Sequence, residues 1–209
     1  MSSSAAWPST THDWAMSVDV THLDSVRNAP EVYAPGGTAH LVLEVIAYAA
    51  DEAEATDAGA ARCRVTLHAD GSVSVDDNGR GTDTRTDPSG RPVRKPVMST
   101  KDIRFFDSPE PSRLPDGHPR RGISTVAALS EWLVHTSRRS DGAWSRRYAL
   151  GIPVSDLLPV SEANGVGTTV HFLPVEGLRS EPQVGAPELR QLSGAWARLK
   201  LEVIDERSG

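Results

Sequence analysis

The run LEVIAYAADEA, residues 43–53, carries Glu44, Tyr48, Asp51 and Glu52 at positions i, i+4, i+7 and i+8 of a helix-forming segment. Residues three or four apart share one face of a helix, so these four draw a polar line along an otherwise apolar rod. Asp51 and Glu52 stand near the end of the run, where water reaches them. Glu44 stands between Leu43 and Val45. Burying an unpartnered carboxylate is costly. One held there either sits at the edge of the apolar stripe, where it snorkels or pairs with an arginine, or is used by the protein.

A second constellation is DDNGRG, residues 76–81. Two acids and an amide meet a glycine pair spaced two apart, so a ligand can approach the backbone while an acid accepts a hydrogen bond from an amino group. Taken alone, the same residues also describe an ordinary turn. GVGTTV, residues 165–170, offers a turn or a Thr168 hydroxyl. The histidines at 12, 22, 40, 68, 118, 135 and 171 have no metal-ligand spacing such as HExxH, and Cys63 is the single cysteine, so no metal ligand is assigned. There is no GxxxxGK[ST] phosphate loop, no GxSxG elbow and no GxGxxG after a strand.

The elements that position these residues follow from periodicity. A short helix is expected over Thr21–Asn28, stopped by Pro30. A loop at Gly36-Gly37 leads to Thr38 as N-cap of a long helix reaching about Thr56, closed by Asp57 and Gly59. Its apolar stripe is Val42, Val45, Ile46, Ala49 and Ala53. Val65 and Leu67 alternate on one strand, Val73 and Val75 on the next, with Asp70-Gly71 as the hairpin turn. Residues 82–121 are rich in Pro, Asp, Arg and Ser and are expected to form a lid-like loop. Beyond them come a helix at Ile123–Leu129, strands Glu131–Arg138 and Ala143–Leu150 joined at Asp141-Gly142, and a strand in GVGTTVHFLPV. A helix over Ala186–Lys200, with Leu189, Leu192, Trp196 and Leu199 on one face, and a closing strand in LEVIDERSG complete the order. This succession predicts an α+β fold, a two-layer sandwich.

At 209 residues the chain suits one domain, taken as 18–209 behind a flexible arm at 1–17 that is rich in Ser, Thr and Ala. A net charge of -6 argues against a broad nucleic-acid surface, so direct DNA binding is not expected. Arg120-Arg121, Arg138-Arg139 and Arg146-Arg147 read as solvated loop and strand edges. The start lacks a basic region followed by an apolar one, and no apolar run approaches the roughly 20 residues that span a bilayer. With one cysteine, a reducing, cytoplasmic setting is expected.

Taken in order, six segments resemble the N-terminal ATP-binding domain of DNA gyrase B and its topoisomerase relatives, of the GHKL superfamily. LDSVRNAPEVYAPGG is similar to the family's Leu-x-x-Val-Arg-x-x-Pro-x-Met-Tyr-Ile-Gly segment. HLVLEVIAYAADEA is similar to its His-x-x-Glu-Val-Val-Asp-Asn helix, and LHADGSVSVDDNGRGTD to its Asp-(Asp/Asn)-Gly-Arg-Gly-Ile-Pro hairpin. GISTVAALSEWL, RRYALGIPV and GTTVHFLP, with LEVIDERSG at the end, echo later segments in the same order. The resemblance implies the Bergerat ATP-binding fold, a mixed, mostly antiparallel sheet with helices on one face. It places Glu44 on the general base that activates the attacking water. It places Asp77 on the acid that accepts the adenine amino group, with Gly79, Arg80 and Gly81 as the nucleotide wall and Thr168 as the hydroxyl that supports the acid through a water. Asp51, Tyr48 and Gly122 join them as residues of the nucleotide site.

The departures from the pattern concern the phosphate end. The family binds ATP as a magnesium complex, and its magnesium-ligating Asn is Tyr48 here, with Ala47 in place of the preceding Asp. A phenol is a poor ligand for a hard cation. The phosphate-cradling lid glycines reduce to GHPRRG, keeping Gly117 and Gly122; Pro119 lacks a backbone donor, while Arg120 and Arg121 offer charge. The family's transducer and DNA-cleavage domains have no counterpart in the 209 residues. Three readings follow: a module binding ATP or another adenine nucleotide, regulatory or part of a larger assembly, with weak or absent hydrolysis; an ATPase completed by a partner chain in a topoisomerase-like complex; or a pseudo-ATPase scaffold. A protein partner or homodimer is compatible with each.

Overall fold

The structure is a computed structural model that describes residues 18–55, 61–86, 92–161, 165–179 and 185–207. Three helices open it: α1 (Val20–Asn28), α2 (Pro30–Tyr33) and α3 (Gly37–Ala55). Strands β1 (Ala61–Leu67) and β2 (Val73–Asp77) follow, then a small hairpin of β3 (Thr84–Thr86) and β4 (Pro92–Arg94), and the short helices α4 (Ile103–Phe106) and α5 (Ile123–Ala128). Next come β5 (Ser130–Arg139), β6 (Gly142–Ala149), β7 (Ile152–Pro153), β8 (Leu158–Pro159) and β9 (Gly167–Pro174). Helices α6 (Glu176–Arg179) and α7 (Ala186–Ser193) lead to the last strand, β10 (Leu199–Asp205).

The main sheet is mixed, with eight strands in the order β10-β1-β2-β9-β5-β6-β7 and β8 paired to β6. Only the β1–β10 pairing is parallel; the others in this sheet are antiparallel. Register lines up side chains of one face in rows. Val203, Val65, Val75, Val170 and His135 form one row, and Leu67, Val73, Phe172, Leu133 and Tyr148 the next. All ten are buried. Helix α3 packs across β1 and β2, α5 against β5 and β6, and α7 against β10, so the helices make the second layer on that face. The fold is the expected α+β sandwich.

Local chemistry explains where elements begin and end. Asp19 caps α1, its carboxylate accepting from His22 N at 3.0 Å. Thr38, expected as the cap of α3, instead lies inside the helix, which starts at Gly37; its hydroxyl donates to Leu178 O of α6 at 2.9 Å. The expected closing residues Asp57 and Gly59 lie outside the described residues, as does the expected arm at 1–17. The Asp70-Gly71 turn is present, with Gly71 at φ +83° and His68 N bonded to Ser72 O. The expected helix to Lys200 is shorter: α7 stops at Ser193, whose hydroxyl bonds back to Leu189 O, and Gly194 follows. Leu199 opens β10. The expected irregular stretch 82–121 contains, in its described residues, the β3–β4 hairpin and α4, and it buries Met98, Phe105 and Leu114.

Candidate functional site

Two clusters flank α3, and Glu44 and Glu52 mark them. Eight residues at about 1.5 Å rise separate these two by about 12 Å along the axis.

At the Glu52 end, the period of two in β2 decides which acid points inward. Val73 and Val75 face α3, and Asp77 continues their line while Asp76 faces away. Asp77 therefore shares a row with Cys63, Thr168 and Ser137. Its Oδ1 accepts from Gly79 N at 2.7 Å and from Thr168 N at 3.3 Å. Burial raises its pKa to about 6 against the two N–H groups that oppose the rise. Thr168 thus reaches Asp77 through its backbone N–H.

Asp77, Asn78, Gly79, Arg80 and Val166 line a cavity of about 170 Å³, and Ala49 and Ala53 supply its α3 wall. Alanines there leave room that a larger side chain would fill. The volume is below the roughly 300 Å³ at which drug-sized ligand pockets begin, so it suits one heterocycle. At the mouth Arg80 makes a bidentate pair with Glu52, Nε to Oε2 at 2.8 Å and Nη2 to Oε1 at 3.0 Å. Gly81 does not line the cavity: at φ +76° it presses on β5, where a Cβ would come 2.8 Å from Arg138 O. Gly167 is tighter, at φ +145° with a Cβ position 1.9 Å from Asp77 O.

Behind this wall lies a network that sequence reading missed. Asp76 Oδ2 accepts from Arg138 Nη2 at 2.7 Å and from Thr169 Oγ1 at 2.5 Å, and Arg138 Nη1 donates to Thr169 at 2.7 Å. Ser137 Oγ receives Thr82 N at 2.8 Å, which fastens the chain leaving Gly81 to β5. The spacing of the acids carries no sign of these cross-strand partners.

The Glu44 end is filled. Glu44 is fully buried, and its two oxygens accept the backbone N–H groups of Arg121 and Gly122, the latter at 3.1 Å. Burial raises its pKa, and the two amides, Arg120 and His40 work in the other direction. His40, one helical turn earlier, places Nε2 3.6 Å from Glu44 and Nδ1 2.7 Å from Asp116. An acceptor-only carboxylate requires the proton on Nδ1.

Tyr48 does not reach Glu44. Its hydroxyl donates to Asp102 Oδ2 at 3.1 Å and accepts from Ile123 N at 3.4 Å. Its pKa is raised, by burial first and by Asp102 second. Asp102 in turn takes Arg104 through Nη2 at 2.6 Å and Nε at 3.0 and 3.2 Å. Asp51 receives Arg120 Nη1 on both oxygens, at 2.9 and 3.0 Å. Arg120, expected on a solvated edge, is 7% exposed. Its guanidinium lies 5.3 Å from the Tyr48 ring and 4.5 Å from that of Phe105.

Magnesium needs near-octahedral oxygen donors from carboxylates, water and phosphate. Here Glu44 is held by two amides, Asp51 by Arg120 and Asp102 by Arg104 and Tyr48, so none of these three carboxylates is spare. Among the described residues no group of three His, Cys, Asp or Glu side chains is placed to hold a metal ion. Each carboxylate at this end is thus engaged by donors of the chain itself.

The expected residues thus fall into two sets. Asp77, Gly79 and Arg80 line the cavity, with Thr168 bonded to Asp77 and Gly81 braced beside them; Glu44, Tyr48, Asp51 and Gly122 meet at the other end. His40, Asp102, Arg104 and Asp116 were missed. His40 alone had a legible signal, its i, i+4 spacing to Glu44.

No protein-family model matches the chain. It is 34% identical over 199 residues to the gyrase B protein of Thermotoga maritima, covering 90% of this chain and 30% of that protein. It is 33% identical to the gyrase B protein of Archaeoglobus fulgidus and 30% identical to the topoisomerase 4 B protein of Bacillus subtilis, over 90% and 89% of this chain. The chain spans 30–31% of the length of these three curated relatives. Its fold matches the topoisomerase IV ATP-binding domain of Francisella tularensis, solved with a small-molecule inhibitor, at a TM-score of 0.67 and 25% identity over 88% of this chain and 51% of that one. No helix among the described residues is long and apolar enough to cross a membrane. By sequence and by fold, the chain is a homologue of the gyrase B and topoisomerase IV B proteins that carries their GHKL-type ATP-binding fold.

Proposed function

We propose that this chain is an adenine-nucleotide-binding module of the gyrase B type, with weak or absent hydrolysis, acting as a regulatory or structural part of a larger assembly. One observation carries the reading: Asp77 lines an open cavity while Glu44 is enclosed. A carboxylate whose Oδ1 is already fixed by Gly79 and Thr168 is pre-oriented toward the cavity, where it accepts an exocyclic amino group. Arg80, held by Glu52, covers the heterocycle at the mouth.

The other end supports slow chemistry. A general base must reach a water beside the phosphorus. Glu44 has both oxygens committed to the amides of Arg121 and Gly122, and Arg120 stands 3.9 Å away. Turnover requires the backbone at 121–122 to release it first. The relatives are named as subunits, and a partner chain or a second copy is the natural source of any group that would do so.

The test is a calorimetric titration with adenosine and ATP, run beside a phosphate-release assay. The reading expects saturable binding of both with phosphate release near background. Absence of binding at millimolar ligand overturns the nucleotide assignment. Robust turnover by the isolated chain that disappears in Glu44→Gln overturns the assignment of weak hydrolysis.

A further inference from the structure

Arg120 is an unusual residue to find enclosed. It is only 7% exposed, and of its guanidinium only Nη1 is hydrogen-bonded, to Asp51. Nε and Nη2 are buried with no hydrogen-bond partner. Leaving a charged donor buried and unsatisfied is costly, so a fold that retains two on one group keeps them for an acceptor. Nε and Nη2 form the side edge of the guanidinium fork, the edge that takes the two oxygens of a phosphate. The Asp51 bonds, with the rings of Tyr48 and Phe105, hold the fork in place. Arg121 Nε is likewise buried without a partner and lies in the same turn.

We infer that Arg120 is the phosphate-recognition residue of this site and stands in for a metal ion, so that the chain binds the phosphate chain of an adenine nucleotide as the free anion. This rests on the adenine-binding reading of the Asp77 cavity. The charges agree with it. Asp51 and Asp102 each already carry an arginine, whereas the Nε–Nη2 edge of Arg120, with Glu44 Oε2 3.9 Å from Nε, and Arg121 Nε make no hydrogen bond. Because that edge is covered, entry of a phosphate chain requires the 120–121 turn to move.

The experiment titrates the chain with ATP and with adenosine, each in excess EDTA and in millimolar magnesium. In EDTA, ATP is expected to bind at least about tenfold more tightly than adenosine, the worth of one charge-assisted contact, and magnesium is expected to weaken or not change the ATP affinity. Arg120→Gln is expected to bring the two ligands to nearly equal affinity, and Arg120→Lys to restore part of the difference. A tenfold or larger gain in ATP affinity on adding magnesium overturns the proposal, as does equal affinity for ATP and adenosine in the unsubstituted chain. Both outcomes leave adenosine binding intact, and with it the cavity reading. Loss of adenosine binding in the unsubstituted chain overturns both. The comparison of EDTA with magnesium uses the unsubstituted chain, so it holds if Arg120→Gln proves unstable.

Discussion

The two ends of α3 solve the same problem, a carboxylate in an apolar setting, in opposite ways. Asp77 sits at the end of a valine line on β2, has one oxygen fixed by two amides, and lines empty space. Glu44 sits among Leu43 and Val45, has both oxygens fixed by two amides, and lies outside that cavity. Each has its pKa raised by burial. What separates them is their surroundings: alanines 49 and 53 leave a gap beside Asp77, whereas the amides of Arg121 and Gly122, with His40 and Arg120, surround Glu44. A buried acid with room beside it can receive a ligand. One without room holds a loop in place.

The contrast can be broken most severely at Gly167. An alanine Cβ there would overlap Asp77 O in a backbone region that L residues rarely adopt, so Gly167→Ala should cost roughly 3 kcal/mol or more. Urea unfolding measures it, and a loss under about 0.5 kcal/mol would remove the glycine from the architecture of the cavity.

Next is Asp77→Asn, which replaces a charged acceptor with an amide that can turn a donor toward the ligand. Adenosine affinity should fall by about ten- to a hundredfold with the fold intact. Calorimetry paired with a thermal melt separates that outcome from unfolding.

The same carboxylate gives a pH signature of two opposite signs. The folded-state pKa near 6 lies above the ordinary 3.8, so the folded chain holds this proton more tightly than the unfolded one. The stability contributed by Asp77 is therefore fully present below 3.8 and is lost as pH rises toward 6. Adenosine binding needs the ionised acceptor and should strengthen as pH rises through about 6, by up to roughly tenfold per unit below it. Asp77→Asn should flatten both curves; a pH-independent affinity in the unsubstituted chain would separate Asp77 from the ligand.

At the other end the effects are expected in stability. Arg120→Gln leaves Asp51 without the Nη1 donor that its two oxygens share. Breaking a fully buried pair costs about 3–5 kcal/mol, but Asp51 is 40% exposed, which reduces the expectation to about 1–2 kcal/mol. Tyr48→Phe should be milder still, about 1 kcal/mol or less, because Asp102 keeps Arg104. A Tyr48→Phe loss larger than that of Arg120→Gln would reverse the order of importance assigned to these two residues.

The Asp77 end was far more legible in the sequence than the Glu44 end, for a physical reason. Asp77 is positioned by local rules: an Asp-Gly hairpin turn, alternation along β2 and a Gly-Arg-Gly exit all lie close together in the chain. Arg120 is positioned by a contact with Asp51 that spans 69 residues and by packing on Phe105 of α4, neither of which leaves a period in the chain. An Arg-Arg pair in a Pro- and Gly-containing segment looks like a solvated loop until the packing partner is known. The overlong helix expected at α7 has a similar origin. Leu189, Leu192, Trp196 and Leu199 keep a helical period, but Gly194 ends the helix and Leu199 is needed to pair with Ala61. Beside the role expected for the Thr168 hydroxyl, the strand's own N–H at Thr168 contacts Asp77, a backbone contact no side-chain pattern carries.

The β1–β2 hairpin also acts as an address. Asp76 and Asp77 are chemically identical neighbours, and only the pairing of Cys63 with Asp77 sends one to the cavity and the other to Arg138. A one-residue insertion at the Gly71 turn would exchange them, offering the ligand Asp76 while turning Asp77 toward the arginine. An uncharged insertion would leave the net charge as it is, and the specificity of the site would be lost through counting alone.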